Sequence, residues 1–235
     1  SGCYVVDVYP NGPLDKAGVK AGDMIYEINK IAVDEYGDLR VQWSEEKISF
    51  VDYIASWQIG EKVEMLIYRH GKPKQIFFTF GQTDLAPVKK IFVGEDKLDY
   101  EIFGGMLIQP LTLNHVQLLL QGVPTLIKYV EYKNQIDPVL IVTHVVPGSQ
   151  LDRLSRIRDG CIITHINNEP VKTMEDVRNM LKQAITKERV TFKTSEGVMF
   201  VLNVKKVLAE EEKLAHLYHY PISPFMRELL TEKKI

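Results

Sequence analysis

Apolar positions along this chain fall into two rhythms. Short runs such as "CYVVDV", "DMIYEINKIAV", "VLIVTHVV" and "CIITHINNEPV" alternate or run apolar over strand lengths. Longer runs place apolar residues every third or fourth position. After the cap residue Ser49 these are Phe50, Tyr53, Ile54 and Trp57; after Thr173 they are Met174, Val177, Met180, Leu181 and Ile185. Two strand pairs follow these helices. "KVEMLIYRHGKPKQIFFTF" turns at His70-Gly71-Lys72-Pro73, and "RVTFKTSEGVMFVLNV" turns near Ser195-Glu196-Gly197.

The rhythm occurs twice. "YVVDVYPNGPLDKAGVKAGDMIYEINKIAV", from Tyr4, is echoed by "IVTHVVPGSQLDRLSRIRDGCIITHINNEPV", from Ile141. Each copy runs apolar strand, Pro10 or Pro147, a short Leu-Asp helix, a glycine turn at Gly22 or Gly160, a second strand and an Ile-Asn pair. Similar sequence in this order implies a duplicated supersecondary unit. The predicted class is α+β: two small partly open β-barrel or sandwich domains with two helices each, plus a C-terminal helical tail. The predicted bounds are 1–83 for the first domain, lacking its N-terminal part, 84–98 for a linker, 99–206 for the second domain and 207–235 for the tail. In the tail, Val207, Leu208, Leu214, Leu217 and Tyr218 are expected to dock, with Glu210, Glu211 and Glu212 facing solvent. "LNHVQLLLQGVPTLIKYVEY" adds a helical insert with Val116, Leu119, Leu120, Leu126, Ile127 and Val130 as its apolar positions, expected to pack on its own domain.

Composition narrows the classes. The 235 residues carry 29 Lys and Arg against 31 Asp and Glu, a net charge of −2, so a basic nucleic-acid-binding face is not expected. No apolar run reaches membrane-spanning length. Cys3 and Cys161 each lie inside an apolar strand pattern and read as buried free thiols.

"VYPNGPLDKAGVKAGDMIYEINK" resembles the PDZ domains of HtrA/Deg-type serine proteases, through Pro10, Pro13, Ala17, Gly18, Val19, Gly22, Asp23, Ile25, Ile28 and Asn29. The second copy matches more loosely, with Arg158-Asp159-Gly160 and Leu154-Ser155 in place of the usual residues. "EKISFVDYI", "YEIFGGMLIQPLT", "INNEPVKTMEDVRNML" and "HLYHYPISPFMRELL" resemble the plant-type Deg proteases with two divergent PDZ domains. The resemblance implies peptide capture. A glycine-rich loop before a strand would bind a C-terminal carboxylate, and the strand would pair with the peptide.

Phe103, Gly104, Gly105, Met106 and Leu107 fit that slot, and Met174, Arg178 and Leu181 would form the facing helical wall. In the family the corresponding loop of the first domain precedes "GCYVVDV". It is therefore expected upstream of Ser1 or absent, leaving the first domain incomplete as a receptor. The implied function is a regulatory or substrate-recognition PDZ region of a serine endoprotease. Its partners would be peptide or protein C-termini, an upstream protease domain and sister subunits, with no nucleic acid or membrane partner. A stand-alone PDZ scaffold or an assembly module is the alternative.

No Gly-Asn-Ser-Gly-Gly turn or Gly-x-Ser-x-Gly elbow is present, so no catalytic residue is expected within this chain. No cofactor fingerprint occurs, and the His216/His219 pair alone does not make a metal site.

Overall fold

In the computed structural model, residues 2–82, 85–92 and 94–232 are described. They divide into two compact units, Ser1–Leu85 and Ala86–Ile235. The predicted boundary at 83/84 falls on residues outside the described set.

The first unit runs β1 (Cys3–Tyr4), α1 (Pro13–Lys16), β2 (Met24–Ile28), β3 (Ile31–Ala32), β4 (Asp38–Leu39), β5 (Ile48–Ser49), α2 (Phe50–Ala55), β6 (Lys62–Arg69) and β7 (Lys72–Thr79). Its main sheet is open, in the order β1-β2-β6-β7, with β3 beside β2. The β6–β7 turn is His70-Gly71, both in the left-handed region that a two-residue hairpin requires. Ser49 caps α2 by accepting from the Asp52 amide. The core gathers Ile25, Ile28, Leu39, Tyr53, Val63, Met65, Ile67 and Ile76. Asp23, 1% exposed, is held by Arg69 Nε at 2.7 Å, and the same guanidinium donates to the Gly18 carbonyl.

The second unit begins with β8 (Glu101–Phe103), β9 (Met106–Pro110), α3 (Leu113–Leu119) and two 3₁₀ turns (Pro124–Val130 and Tyr132–Asn134). It continues with β10 (Leu140–Val145), α4 (Gln150–Leu154), β11 (Ile162–Ile166), β12 (Glu169–Pro170), α5 (Met174–Ala184), β13 (Arg189–Thr194), β14 (Met199–Asn203), α6 (Val204–Tyr218) and α7 (Pro224–Glu232). Its open sheet has the order β14-β13-β11-β10-β9-β8, with β12 beside β11. Thr173 and Asp176 form a reciprocal capping box on α5.

Three parts of this unit differ from the sequence reading. The stretch after Pro87, expected as linker, packs into it. Val88 is fully buried with Leu111, Val116, Leu126 and Tyr129, and the Asn114 side chain bonds the Ile91 backbone. In the insert, Ile127 and Val130 are exposed while Leu126 and Tyr129 are buried. Pro124 starts a 3₁₀ turn, whose three-residue period selects positions 126 and 129 together. No break separates a tail at 206/207, because α6 starts at Val204 and runs through it.

One solvent assignment is overturned. Glu211 is 1% exposed, not solvent-facing. It lies on the stripe of Val204, Val207, Leu208, Leu214 and Ala215, all buried, so helical spacing carries it inward. Glu210 and Glu212 remain outside that stripe.

Candidate peptide-binding grooves

In the second unit the glycine pair forms the turn of a tight hairpin. Phe103 faces Met106, Ile102 faces Leu107 and Glu101 faces Ile108 across β8 and β9. Gly104 and Gly105 have φ of +62° and +85°, the two left-handed residues of such a turn. Their carbonyls are engaged: Leu151 N donates to Gly104 at 3.2 Å and Val146 N to Gly105 at 2.8 Å. The turn is also closely covered. A Cβ on Gly105 would lie 2.1 Å from Ser149 Oγ, and one on Gly104 would lie 2.8 Å from Leu202 Cδ1.

The other expected site residues surround this hairpin. Phe103, Met106, Met174 and Leu181 are core residues, and Leu107 is half-buried on β9. Both edges of β9 are hydrogen-bonded, one to β10 and the other to β8. Arg178, on α5, donates through Nε to Glu101 at 2.8 Å and through its terminal nitrogens to Asp99. These carboxylates raise the affinity of the guanidinium for its proton, Asp99 most strongly. The charge foreseen for an acidic peptide is thus matched by the chain's own Asp99 and Glu101.

Sequence reasoning missed Asp99 and Glu101. Glu101 is 1% exposed, and its second carboxylate oxygen accepts from Ser223 Oγ, which also caps α7 by accepting from Met226 N at 3.1 Å. The available signal was an acid inside the apolar run "YEIF" and a basic residue on the helix read as facing it.

The first unit has an equivalent seat, and none of the described residues fills it. Pro10 corresponds to Pro147, and the caps Ser49 and Thr173 align Phe50, Ile54 and Trp57 with Met174, Arg178 and Leu181. Ladder register aligns Met65 with Phe192 and Phe78 with Leu202. A mostly apolar cavity of about 380 Å³ lies here, lined by Tyr9, Leu14, Phe50, Ile54, Trp57 and Phe78 among others. Its second-unit counterparts Val146, Leu151, Met174, Arg178 and Leu202 all meet the β8–β9 hairpin or lie beside it. Among the described residues, Trp57 Nε1 is buried without a hydrogen-bond partner. Among the described residues, strand β1 pairs with β2, whereas β10 pairs with both β11 and β9.

Two family models match. The PDZ domain model covers residues 4–41, and a second PDZ domain model covers residues 89–223, more than half of the chain. The chain belongs to the PDZ domain family. As a tandem PDZ region it is similar to parts of several serine endoproteases. It is 29% identical over 184 residues to a probable periplasmic serine endoprotease DegP-like of Brucella suis, covering 78% of this chain and 30% of that protein. Against periplasmic serine endoprotease DegP of Salmonella typhimurium it is 23% identical over 181 residues, 77% of this chain and 29% of the relative. Against periplasmic pH-dependent serine endoprotease DegQ of Escherichia coli, identity is 33% over 78 residues, 33% of this chain and 15% of the relative. The chain thus spans about 30% of the length of the first of these relatives.

The two cysteines of this PDZ region are free and half-buried, and burial pushes the Cys161 thiol above its ordinary range. No helix among the described residues is long and apolar enough to cross a membrane.

Proposed function

We propose that this tandem PDZ region serves a DegP-like serine endoprotease, with the two grooves divided between receiving and being filled. Beside the first unit's β1 edge and apolar cavity lies the equivalent seat, which takes a strand by backbone pairing and that strand's side chains in the cavity, whether the strand comes from the longer parent or from a peptide. The second unit is a filled module. Phe103, Gly104 and Gly105 belong to the hairpin that fills it, and Met106, Leu107, Met174, Arg178 and Leu181 receive β8 of the same chain rather than a free peptide C-terminus.

The observation that carries this reading is the matching of positions. The residues that line an open 380 Å³ cavity in one unit are, in the other, the residues against which a glycine hairpin is seated. Protease activity, oligomer contacts and peptide substrates belong in this proposal to the longer parent protein. An encoded trypsin-like domain in that parent supports it, and its absence favours a stand-alone scaffold.

A synthetic peptide with the sequence of residues 100–112 tests the division directly. It should perturb the Trp57 indole N–H resonance and the amides of residues 3–8. Perturbation confined to the second unit, or none at a peptide concentration of about 1 mM, overturns it.

A further inference from the structure

The seated hairpin is held from the side by the C-terminal helices, and α6 carries a buried acid the groove itself does not use. Helix α7 packs on β8, with Met226 and Leu229 fully buried in the second unit's core. Its cap residue Ser223 bonds Glu101 of β8, and Glu228 on its outer side pairs with Lys182 of α5 at 2.5 Å. Between α6 and α7 lies Tyr220, whose hydroxyl donates to Glu211 Oε1 at 3.0 Å. Glu211 Oε2 is buried with no partner among the described residues. A carboxylate in that position gains one hydrogen bond and no cation, so the apolar surroundings favour its neutral form.

We propose that α7 is a latch on the self-supplied strand β8, closed while Glu211 is neutral and released when Glu211 acquires its charge. This rests on the reading that β8 fills the second groove.

The surrounding charges all leave Glu211 uncompensated. On β8, Glu101 adds a repulsive charge; on α5, Arg178 is already shared between Glu101 and Asp99. On α6, Glu210 is paired with Arg153 of α4, while Glu212, Lys213, His216 and His219 are exposed. On α7, Glu228 is paired with Lys182 and Arg227 is exposed; Tyr220, its own proton held more tightly by burial, stays a neutral donor. Burial, first, and then the Glu101 charge push the Glu211 carboxyl up to about 7. In an opened latch the carboxyl returns to its ordinary range near 4.5. The closed state therefore binds the proton more tightly. Its advantage is complete below about pH 4.5 and is lost as pH rises to about 7, tenfold per pH unit.

The test uses the full chain and hydrogen exchange, with protection factors corrected for the intrinsic pH dependence. Between pH 5 and pH 8, protection of amides 226–231 should fall on the order of a hundredfold, and that of amides 101–103 should fall with it. In Glu211→Gln the carboxylate is replaced by a neutral group, and the slope should vanish. A wild-type slope that persists in Glu211→Gln, or no slope in the wild type, overturns the latch. Carbon-detected titration of the Glu211 carboxyl provides a second readout that needs no variant. A midpoint near 7 shared by the α7 resonances supports the latch, and titration without α7 following it overturns it. Failure of the underlying groove reading looks different: a free peptide would then shift Gly104–Met106 at pH 5 while α7 stayed protected.

Discussion

The two units share a strand order and differ at one edge. Among the described residues of the first, β1 is the sheet's edge strand, and the cavity beside α2 is lined by Ile54 and Trp57. In the second, two more strands extend past β10, and the equivalent helix positions carry Arg178 and Leu181, which close on those strands. The lesson is that the same supersecondary unit presents a seat beside its edge strand, and in the second unit the β8–β9 hairpin of the same chain occupies that seat. Glu101, buried and bonded to Arg178, is the signature of the closed form; an apolar Ile54 at the Arg178 position is the signature of the open one.

The largest expected effect comes from spoiling the closed turn. Gly105→Val places a branched side chain at a left-handed φ and against Ser149, 2.1 Å from its Oγ. Denaturant unfolding should report a loss of at least about 3 kcal/mol in the second unit, with the first unit unchanged. A loss below about 1 kcal/mol would mean the hairpin is not seated as described.

Arg178→Ala leaves Glu101 buried beside Ser223 without its cation. A destabilisation of about 2–3 kcal/mol is expected, reduced from a fully buried pair because Arg178 is partly solvated. Arg178→Lys should recover only part of it, since one ammonium cannot fork between Glu101 and Asp99. Full recovery by Lys would argue that only net charge matters here.

The glycine-turn acids sharpen the contrast in the other direction. Asp23 is buried and its carboxyl is held below the ordinary range, chiefly by the hydrogen bond from Arg69. An acid with a depressed value stabilises the fold above its unfolded range, near 3.8, and that contribution is lost as pH falls through the folded value. Asp159 lies on the other side of its turn glycine, where Cys161 takes the position of Asp23; it is exposed and, among the described residues, accepts from the Val145 amide, with His144 Nδ1 3.7 Å from its other oxygen. Asp23→Asn should cost the first unit about 2 kcal/mol at pH 7 and less at pH 3. Asp159→Asn should cost under about 0.5 kcal/mol at either pH. Equal costs in two-unit thermal unfolding would remove this distinction.

The smallest effect is a change of groove character. Ile54→Arg writes the closed unit's residue into the open one without the Glu101 that matches it. Affinity of the first unit for an apolar strand peptide should drop about tenfold, near 1.4 kcal/mol, in calorimetric titration. An unchanged affinity would mean the cavity does not take the peptide's side chains.

Much of this was legible in the residues. The repeat, the caps at Ser49 and Thr173, the His70-Gly71 turn and the helical face of α5 follow from local chemistry that sequence records directly. The meaning of Gly104-Gly105 does not. Two left-handed glycines suit an anion nest and a hairpin turn equally, and what separates them is where the backbone groups bond. Those partners, Val146 and Leu151, are far along the chain. Glu211 was misread for a related reason: three consecutive glutamates look like a solvated run, while only the register set by Val207, Leu208 and Ala215 shows that the middle one turns inward.

The division between an open and a filled groove is tested most directly by titrating a library of free C-terminal and extended peptides into the whole chain while following backbone amides at pH 5. Shifts are expected at residues 3–8 and at the Trp57 indole, with Gly104, Gly105 and Met106 unmoved. Saturable shifts at those three residues, with the first unit silent, would contradict that division.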